Sequence, residues 1–281
     1  MPFARVNGIR LYYEDHGKGT PLVLVMGYGD GCGKWAKQMP AFARRHRVIA
    51  FDNRGGGKTD APRSGYSIRT FAEDTIGLMD HLGIDRAHLC GYSMGGRIAQ
   101  YVAIRHSARL RSLILCATSA RPSAFNKYTL WLDMVLVPRY GPGAVAPFGP
   151  IYQYTRAWFE KHYRALVANL RRRPKGDGAP VHGLIGQAKA ILTHDTSRDL
   201  GRIRAPTLVL VGDQDLLNPP PESEVLAKRI PGARLRVLRG GGHGFLWEIP
   251  ERFNTAVLDF TSRVDAGGGA KRPGPARGAG G

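Results

Sequence analysis

Five residues, Gly91-Tyr92-Ser93-Met94-Gly95, constrain this 281-residue chain more than any other stretch. They follow an apolar run, Ala87-His88-Leu89-Cys90, that reads as a buried strand. They precede Gly96-Arg97-Ile98-Ala99-Gln100-Tyr101-Val102-Ala103, which reads as a helix. A serine with glycines two residues away on either side fits a turn whose tip is strained and whose flanks must be small. Such a turn lifts the hydroxyl clear of a sheet. It also aims backbone N–H groups and a helix start at one spot, where negative charge is stabilised. Alone, the pentapeptide also fits an ordinary turn. The rest of the chain decides against that.

The flanking sequence alternates between strand and helix patterns. Residues 9–15 suggest an early antiparallel strand. Pro21-Leu22-Val23-Leu24-Val25-Met26 is a continuous apolar run ending at glycines, as a parallel strand buried on both faces requires. Lys34 to Arg45 has helical spacing at Trp35, Met39 and Phe42. Val48–Phe51 is a strand, Arg69 to Leu82 an amphipathic helix, and Leu113–Cys116 a strand. After a break the rhythm returns, with strands at Thr207–Val211 and Ala233–Leu238 and helices at Pro221–Arg229 and Pro250–Phe260. This predicts an α/β fold with a mostly parallel, doubly wound sheet and its ligand site beyond the strands' carboxyl ends. Residues 1–120 and 201–265 form the expected core. Residues 121–200, with aromatics, prolines and a helical patch at Tyr154–Leu170, form an expected helical lid. Residues 266–281 are mostly Gly, Ala, Pro, Arg and Lys, and are expected to be disordered.

No apolar stretch approaches the ~20 residues that span a bilayer, and residues 1–6 carry no signal-peptide core. A soluble cytoplasmic protein is therefore expected. The three cysteines imply neither a disulfide framework nor a zinc site. Cys90 and Cys116 read as core residues, and Cys32, in a glycine-rich loop, as an exposed thiol. The formal charge is +19, and 31 of the 41 basic residues are arginine. They are scattered and accompany no nucleic-acid-binding motif, so nucleic acid is not the expected partner. The excess is densest in residues 121–175, where ten Lys or Arg face only Asp133 and Glu160. Within it, Arg171-Arg172-Arg173 reads first as solvated surface. A preference for substrates bearing a carboxylate is the sharper reading of the segment.

A serine hydroxyl needs an adjacent base to act as a nucleophile, and the base needs an orienting carboxylate. His243, in Gly240-Gly241-Gly242-His243-Gly244-Phe245, lies just past the 233–238 strand and is the base candidate. His46, His88 and His106 read as surface or packing residues. Asp213 and Asp215, just past the 207–211 strand, are the acid candidates. The loop Met26-Gly27-Tyr28-Gly29-Asp30-Gly31 can bring its backbone close to a substrate. The N–H groups of Tyr28 and Met94 are the oxyanion-hole candidates.

Together these residues resemble the α/β-hydrolase superfamily over about residues 3 to 264. The turn Asp52-Asn53-Arg54-Gly55-Gly56-Gly57-Lys58-Thr59 looks like the superfamily's Asp-x-Arg-Gly-x-Gly-x-Ser turn. Ile203-Arg204-Ala205-Pro206-Thr207-Leu208-Val209-Leu210 looks like its strand entry after the lid. Gly242-His243-Gly244-Phe245 with Glu248-Ile249-Pro250-Glu251-Arg252-Phe253 looks like its histidine loop and last helix. The resemblance implies the chain order Ser93, Asp215, His243 for the triad, and so favours Asp215 over Asp213. Within the superfamily the elbow and lid length are similar to small esterases, 3-oxoadipate enol-lactonases and cofactor-free haloperoxidase-like esterases. That implies hydrolysis of a small or medium carboxylic ester or lactone, with no metal and no organic cofactor. A carbon–carbon bond hydrolase or lyase on the same residues is the second reading, and a non-catalytic binding protein the third. One departure is Met26-Gly27, where the family usually has His-Gly, so the support beneath that loop must differ.

Overall fold

The computed structural model of the protein describes residues 2–172 and 179–267. Arg173 and the tail from residue 268 onward lie outside them. Eight strands make one sheet: β1 (Phe3–Val6), β2 (Ile9–His16), β3 (Thr20–Val25), β4 (His46–Phe51), β5 (Ala87–Tyr92), β6 (Leu110–Cys116), β7 (Thr207–Gly212) and β8 (Arg234–Leu238), in the order β1-β2-β4-β3-β5-β6-β7-β8. β1 and β2 pair antiparallel, β2 runs antiparallel to β4, and the other pairs are parallel. The sequence pattern shows every strand except β1, whose four residues are too few to display a period.

The helices are α1 (Met39–Phe42), α2 (Ile68–His81), α3 (Met94–Arg105), α4 (Ala124–Tyr140), α5 (Gly149–Gln153), α6 (Arg156–Arg172), α7 (Val181–Leu192), α8 (Pro220–Arg229), α9 (Phe245–Glu248) and α10 (Pro250–Asp265). Alternate strand residues face opposite layers. Val23, Val25, Leu89 and Leu113 pack in one cluster with residues of α2, α3 and α8. Leu22, Leu24, Cys90 and Ile114 pack in another with Trp35, Phe42 and the α10 residues Phe253, Val257 and Phe260. Burial on both faces is why these strands read as unbroken apolar runs.

Two expectations need correction. The stretch 34–45 is not one helix: a 3₁₀ turn over Cys32–Trp35 is followed by the four-residue α1. Pro40 lacks an N–H and tolerates only a first helical turn, so a helix must restart around it. Cys32 is not exposed; it is 3% accessible. Its backbone N–H donates to Asp52 Oδ1 at 2.6 Å, which draws it inward beside Trp35 and Met26. Burial pushes its thiol pKa up. Cys90 and Cys116 are buried, as expected, with both thiols free and their sulfurs 3.8 Å apart.

The strand order changes direction between β3 and β5. Loops leaving the two strands diverge there and open a crevice at the carboxyl edge. Val25 at the end of β3 pairs with Gly91 near the end of β5. That register sets the 27–31 loop beside the serine turn. Between β6 and β7 the chain leaves the sheet for α4 to α7, which stand over this edge and share a cavity with it.

Candidate active site

Ser93 occupies the tip of the turn between β5 and α3 at φ 55° and ψ −115°, a region that side chains rarely adopt. Three glycines make the turn possible. A Cβ on Gly91 would strike the Gly95 carbonyl, one on Gly95 would strike the Val25 carbonyl, and one on Gly96 would strike Thr118. The strained residue is held by its own backbone. Ser93 N–H donates to Cys116 O at 2.9 Å, and Thr118 Oγ1 donates to Ser93 O at 2.8 Å.

The base and acid candidates converge on it. Ser93 Oγ is 3.1 Å from His243 Nε2, and His243 Nδ1 is 2.9 Å from Asp215 Oδ2 and 3.1 Å from Oδ1. His243 is 2% and Asp215 3% accessible. The N–H groups of Leu217 and Asn218 each donate to Asp215 Oδ1 at 2.9 Å. A carboxylate holding two amides and an imidazole is fixed in orientation. Asp213 faces elsewhere: its Oδ1 accepts the N–H groups of Gly240 at 2.8 Å and Gly241 at 3.2 Å. It braces the glycine loop that carries His243. The two acid candidates thus have separate positions, and only Asp215 touches the imidazole.

Tyr28 and Met94 line the same cavity as Ser93 and His243, on the loop after β3 and the first turn of α3. A Cβ on Gly27 would lie 3.2 Å from Ser93 Cβ, so this loop runs directly past the serine. The cavity is about 550 Å³, well within the range of small-molecule sites. Its wall combines core residues with Asn126, Thr129 and Leu130 of α4 and Leu184 of α7.

The family is now decided by comparison as well as geometry. A family model described as the alpha/beta hydrolase fold matches residues 20–250. The chain belongs to the α/β-hydrolase family. It is 31% identical over 265 residues to RutD of Azorhizobium caulinodans, provisionally named a carbamate hydrolase, covering 94% of this chain and all of that one. The solved enol-lactonase from Burkholderia xenovorans superposes with a TM-score of 0.85 at 31% identity, over 93% of this chain and 100% of that one. A thermophilic esterase from Thermogutta terrifontis gives the same TM-score and identity, over 94% and 99%. The protein is an α/β-hydrolase enzyme.

Several supports of this α/β-hydrolase site have partners that only the fold reveals. Gln187 of α7 is wholly buried; its Oε1 accepts the Gly29 N–H at 2.8 Å and its Nε2 donates to Arg54 O at 3.0 Å. It ties the Tyr28 loop to the turn after β4. Glu248 accepts Gly242 N–H at 2.6 Å and Thr155 N–H at 2.7 Å, so it braces the histidine loop against the segment before α6. The residues beneath Met26-Gly27 are also defined. Asn53 Nδ2 donates to Met26 O at 2.9 Å, while Asp52 accepts the N–H groups of Cys32 and Lys58. Arg54 forms a buried two-pronged pair with Asp74 at 2.6 and 2.7 Å. The Asp52–Thr59 turn is therefore a knot that holds the Tyr28 loop from below.

The charge around the cavity differs from the expectation for residues 121–175. The eight described basic residues of that segment, Arg121 to Arg172, are exposed and do not line the cavity. Among the described residues of the segment, Asp133 of α4 is the one charged residue that lines the cavity, and burial raises its pKa to about 6. Arg97 of α3 lines the cavity from the core side, and its Nη2 donates to Ser119 Oγ and Asn126 Oδ1 at 2.9 Å each. Burial lowers its pKa to about 10. The described basic residues of the segment therefore supply no direct contact to a substrate in this cavity.

Proposed function

We propose that the protein is a serine hydrolase that cleaves a small or medium carboxylic ester or lactone through an acyl-enzyme on Ser93. One observation carries this reading: a strained serine 3.1 Å from a histidine that a buried aspartate holds at 2.9 Å, inside a cavity. Ser93 Oγ attacks the substrate carbonyl while His243 Nε2 takes its proton. Asp215 keeps the other ring nitrogen protonated and stabilises the imidazolium. The backbone N–H groups of Met94 and Tyr28 donate to the oxyanion. His243 returns the proton to the leaving oxygen, then activates the water that releases the acid. Residues 1–120 and 201–265 serve as the hydrolase core, and 121–200 as the lid that closes the cavity. Every step is supplied by side chains and backbone of the chain itself.

The enol-lactonase and the esterase, each 31% identical, support the ester or lactone substrate. The RutD relatives support a second reading, a carbamate attacked at the same carbonyl position by the same serine. The test is to treat the protein with a fluorophosphonate and map the adduct by mass spectrometry, then assay ester, lactone and carbamate panels. A stoichiometric adduct on Ser93, lost in His243→Ala, with turnover of esters or lactones, is the expected result. Turnover of carbamates alone selects the second reading. An unlabelled serine, or undiminished hydrolysis in Ser93→Ala, overturns both.

A further inference from the structure

The helix α4 buries one mixed face and leaves an apolar face exposed. The buried face packs inward through Asn126, Leu130 and Val137. The opposite face presents Phe125 at 46%, Tyr128 at 59% and Trp131 at 50% accessibility. At about 100° per residue these three share one side of the helix, and the half-buried Leu132 and Val135 continue the stripe. Among the described residues, seven of the ten large hydrophobic side chains left exposed lie between 125 and 163. An amphipathic surface helix has a polar outer face; a helix apolar all round is normally covered. Here the outer face is uncovered.

We propose that this outer face of α4 docks onto an anionic lipid bilayer. Two independent features of the face point to that partner. Trp and Tyr rings concentrate where a membrane meets water, because each has an apolar body and a polar edge. The Tyr128 and Trp131 rings stand together, with centroids 5.8 Å apart. The segment that carries this face is predominantly basic, with Lys127 and Arg139 on α4 itself. Residues 121–172 carry eight exposed Lys or Arg against Asp133 and Glu160, and Arg156–Glu160 is the one ion pair within the segment among the described residues. Basic residues near such a face add attraction to anionic headgroups. A second copy of the chain would instead set positive charge against positive charge. No described helix is long and apolar enough to cross a membrane, so the docking is peripheral. The inner face of α4 lines the cavity through Asn126, Thr129 and Asp133, so the docked face lies one helix thickness from the candidate site.

The experiment is co-sedimentation of the full chain with phosphatidylcholine vesicles, and with vesicles in which about a quarter of the lipid is phosphatidylglycerol. It is run at about 0.1 M and about 1 M salt, where the screening length falls from ~10 Å to ~3 Å. Expected are a partition coefficient on the anionic vesicles at least roughly tenfold above that on neutral ones, and loss of most of that difference at high salt. The variant Phe125→Ser/Tyr128→Ser/Trp131→Ser loses the binding while keeping its circular dichroism and melting temperature. Should it not fold, Trp131→Ser alone lowers the partition several-fold. Equal partition on both vesicles, or binding to neither, overturns the proposal. So does a lipid-free dimer in sedimentation velocity that the aromatic substitutions dissolve, because that assigns the face to self-association.

Discussion

The elbow helix α3 and the helix α6 of the insert belong to one molecule but are built by different rules. Nine of the twelve residues of α3 are buried, whereas none of the seventeen in α6 is. Around Ser93 the glycine positions are so tight that one methyl group would strike backbone. In the insert, Gly141, Gly143 and Gly149 have nothing within 4 Å of where a Cβ would stand. The strained serine persists because its surroundings over-determine it. Along α4 to α6 the insert leaves seven large hydrophobic side chains and eight basic residues exposed, where packing dictates little, whereas its α7 packs against the core. Chemistry that needs sub-ångström placement sits on the rigid part, and the part that meets substrate and surroundings is left adjustable.

The sharpest way to break this comparison is to remove the strained residue's hydroxyl. Ser93→Ala should lower turnover by at least roughly 10³-fold with the melting temperature hardly changed. Ser93→Gly should be equally inactive but more stable by about 1 kcal/mol, because glycine accepts a positive φ freely. Chemical denaturation together with turnover measures both. A Ser93→Gly protein no more stable than wild type would mean the turn is not strained.

Next in size is a pair of methyl insertions. Gly95→Ala puts its Cβ on the carbonyls at the end of β3 and should cost about 3 kcal/mol or more. The partner substitution, Gly143→Ala in the insert, should change stability by about 0.5 kcal/mol or less. Similar costs at both sites would erase the distinction between core and insert.

A smaller effect is expected where the insert reaches into the core. Gln187→Leu removes the acceptor that holds the Gly29 N–H. With the loop of the proposed oxyanion donor Tyr28 loosened, kcat should fall about tenfold, less than the roughly 10²–10³ for outright loss of a donor. KM should change little, and Gln187→Glu, which keeps the acceptor, should restore part of the rate. A KM increase with kcat intact would instead give Gln187 a role in substrate binding.

The smallest expected effect is a pH dependence in which histidines and one acid oppose each other. Burial lowers the pKa of His88 to about 4 and of His194 to about 3, and pulls His46 below its usual value. The unfolded chain takes up these protons near pH 6.5. Between about pH 6.5 and 4 it therefore binds more protons than the folded state at these sites, and stability falls as pH falls. Asp133 has the opposite sign. Its folded pKa of about 6 lies above the unfolded value of 3.8, so the folded state protonates first and gains stability as pH falls through 6. The melting temperature should drop on acidification, and more steeply in Asp133→Asn, which lacks the opposing gain. An identical slope in the variant would show that Asp133 titrates normally.

Much of this was legible in local pattern. Glycine spacing around Ser93 and apolar runs of strand length are properties of neighbouring residues, and local sterics constrain them strongly, whereas the order Ser93, Asp215, His243 is what the resemblance to the α/β-hydrolase superfamily implies. The cost of a Cβ at positive φ and the two-sided burial of a parallel strand leave their marks within a few residues. What escaped that reading depends on partners far apart in the chain. Gln187 meets Gly29 across 158 positions, and only folding brings them together. Cys32 was expected outside because its neighbours are small and polar, yet Asp52, twenty residues on, draws it in. The resemblance favoured Asp215 over Asp213, but what Asp213 does instead, bracing the glycine loop after β8, is visible only in the fold. The basic charge of residues 121–175 was plain in the sequence, but its direction was not. Composition counts charges, whereas only the packing of α4 and α6 decided that the described basic residues face solvent and that Asp133 faces the cavity. The sequence by itself determined the serine turn and the strands of the sheet, because those rest on short-range sterics, and its motifs carried the resemblance that pointed to the family and to Ser93, Asp215 and His243. Tertiary structure alone decided what braces them and which way the charge points, because hydrogen bonds and burial are settled between residues that sequence keeps apart.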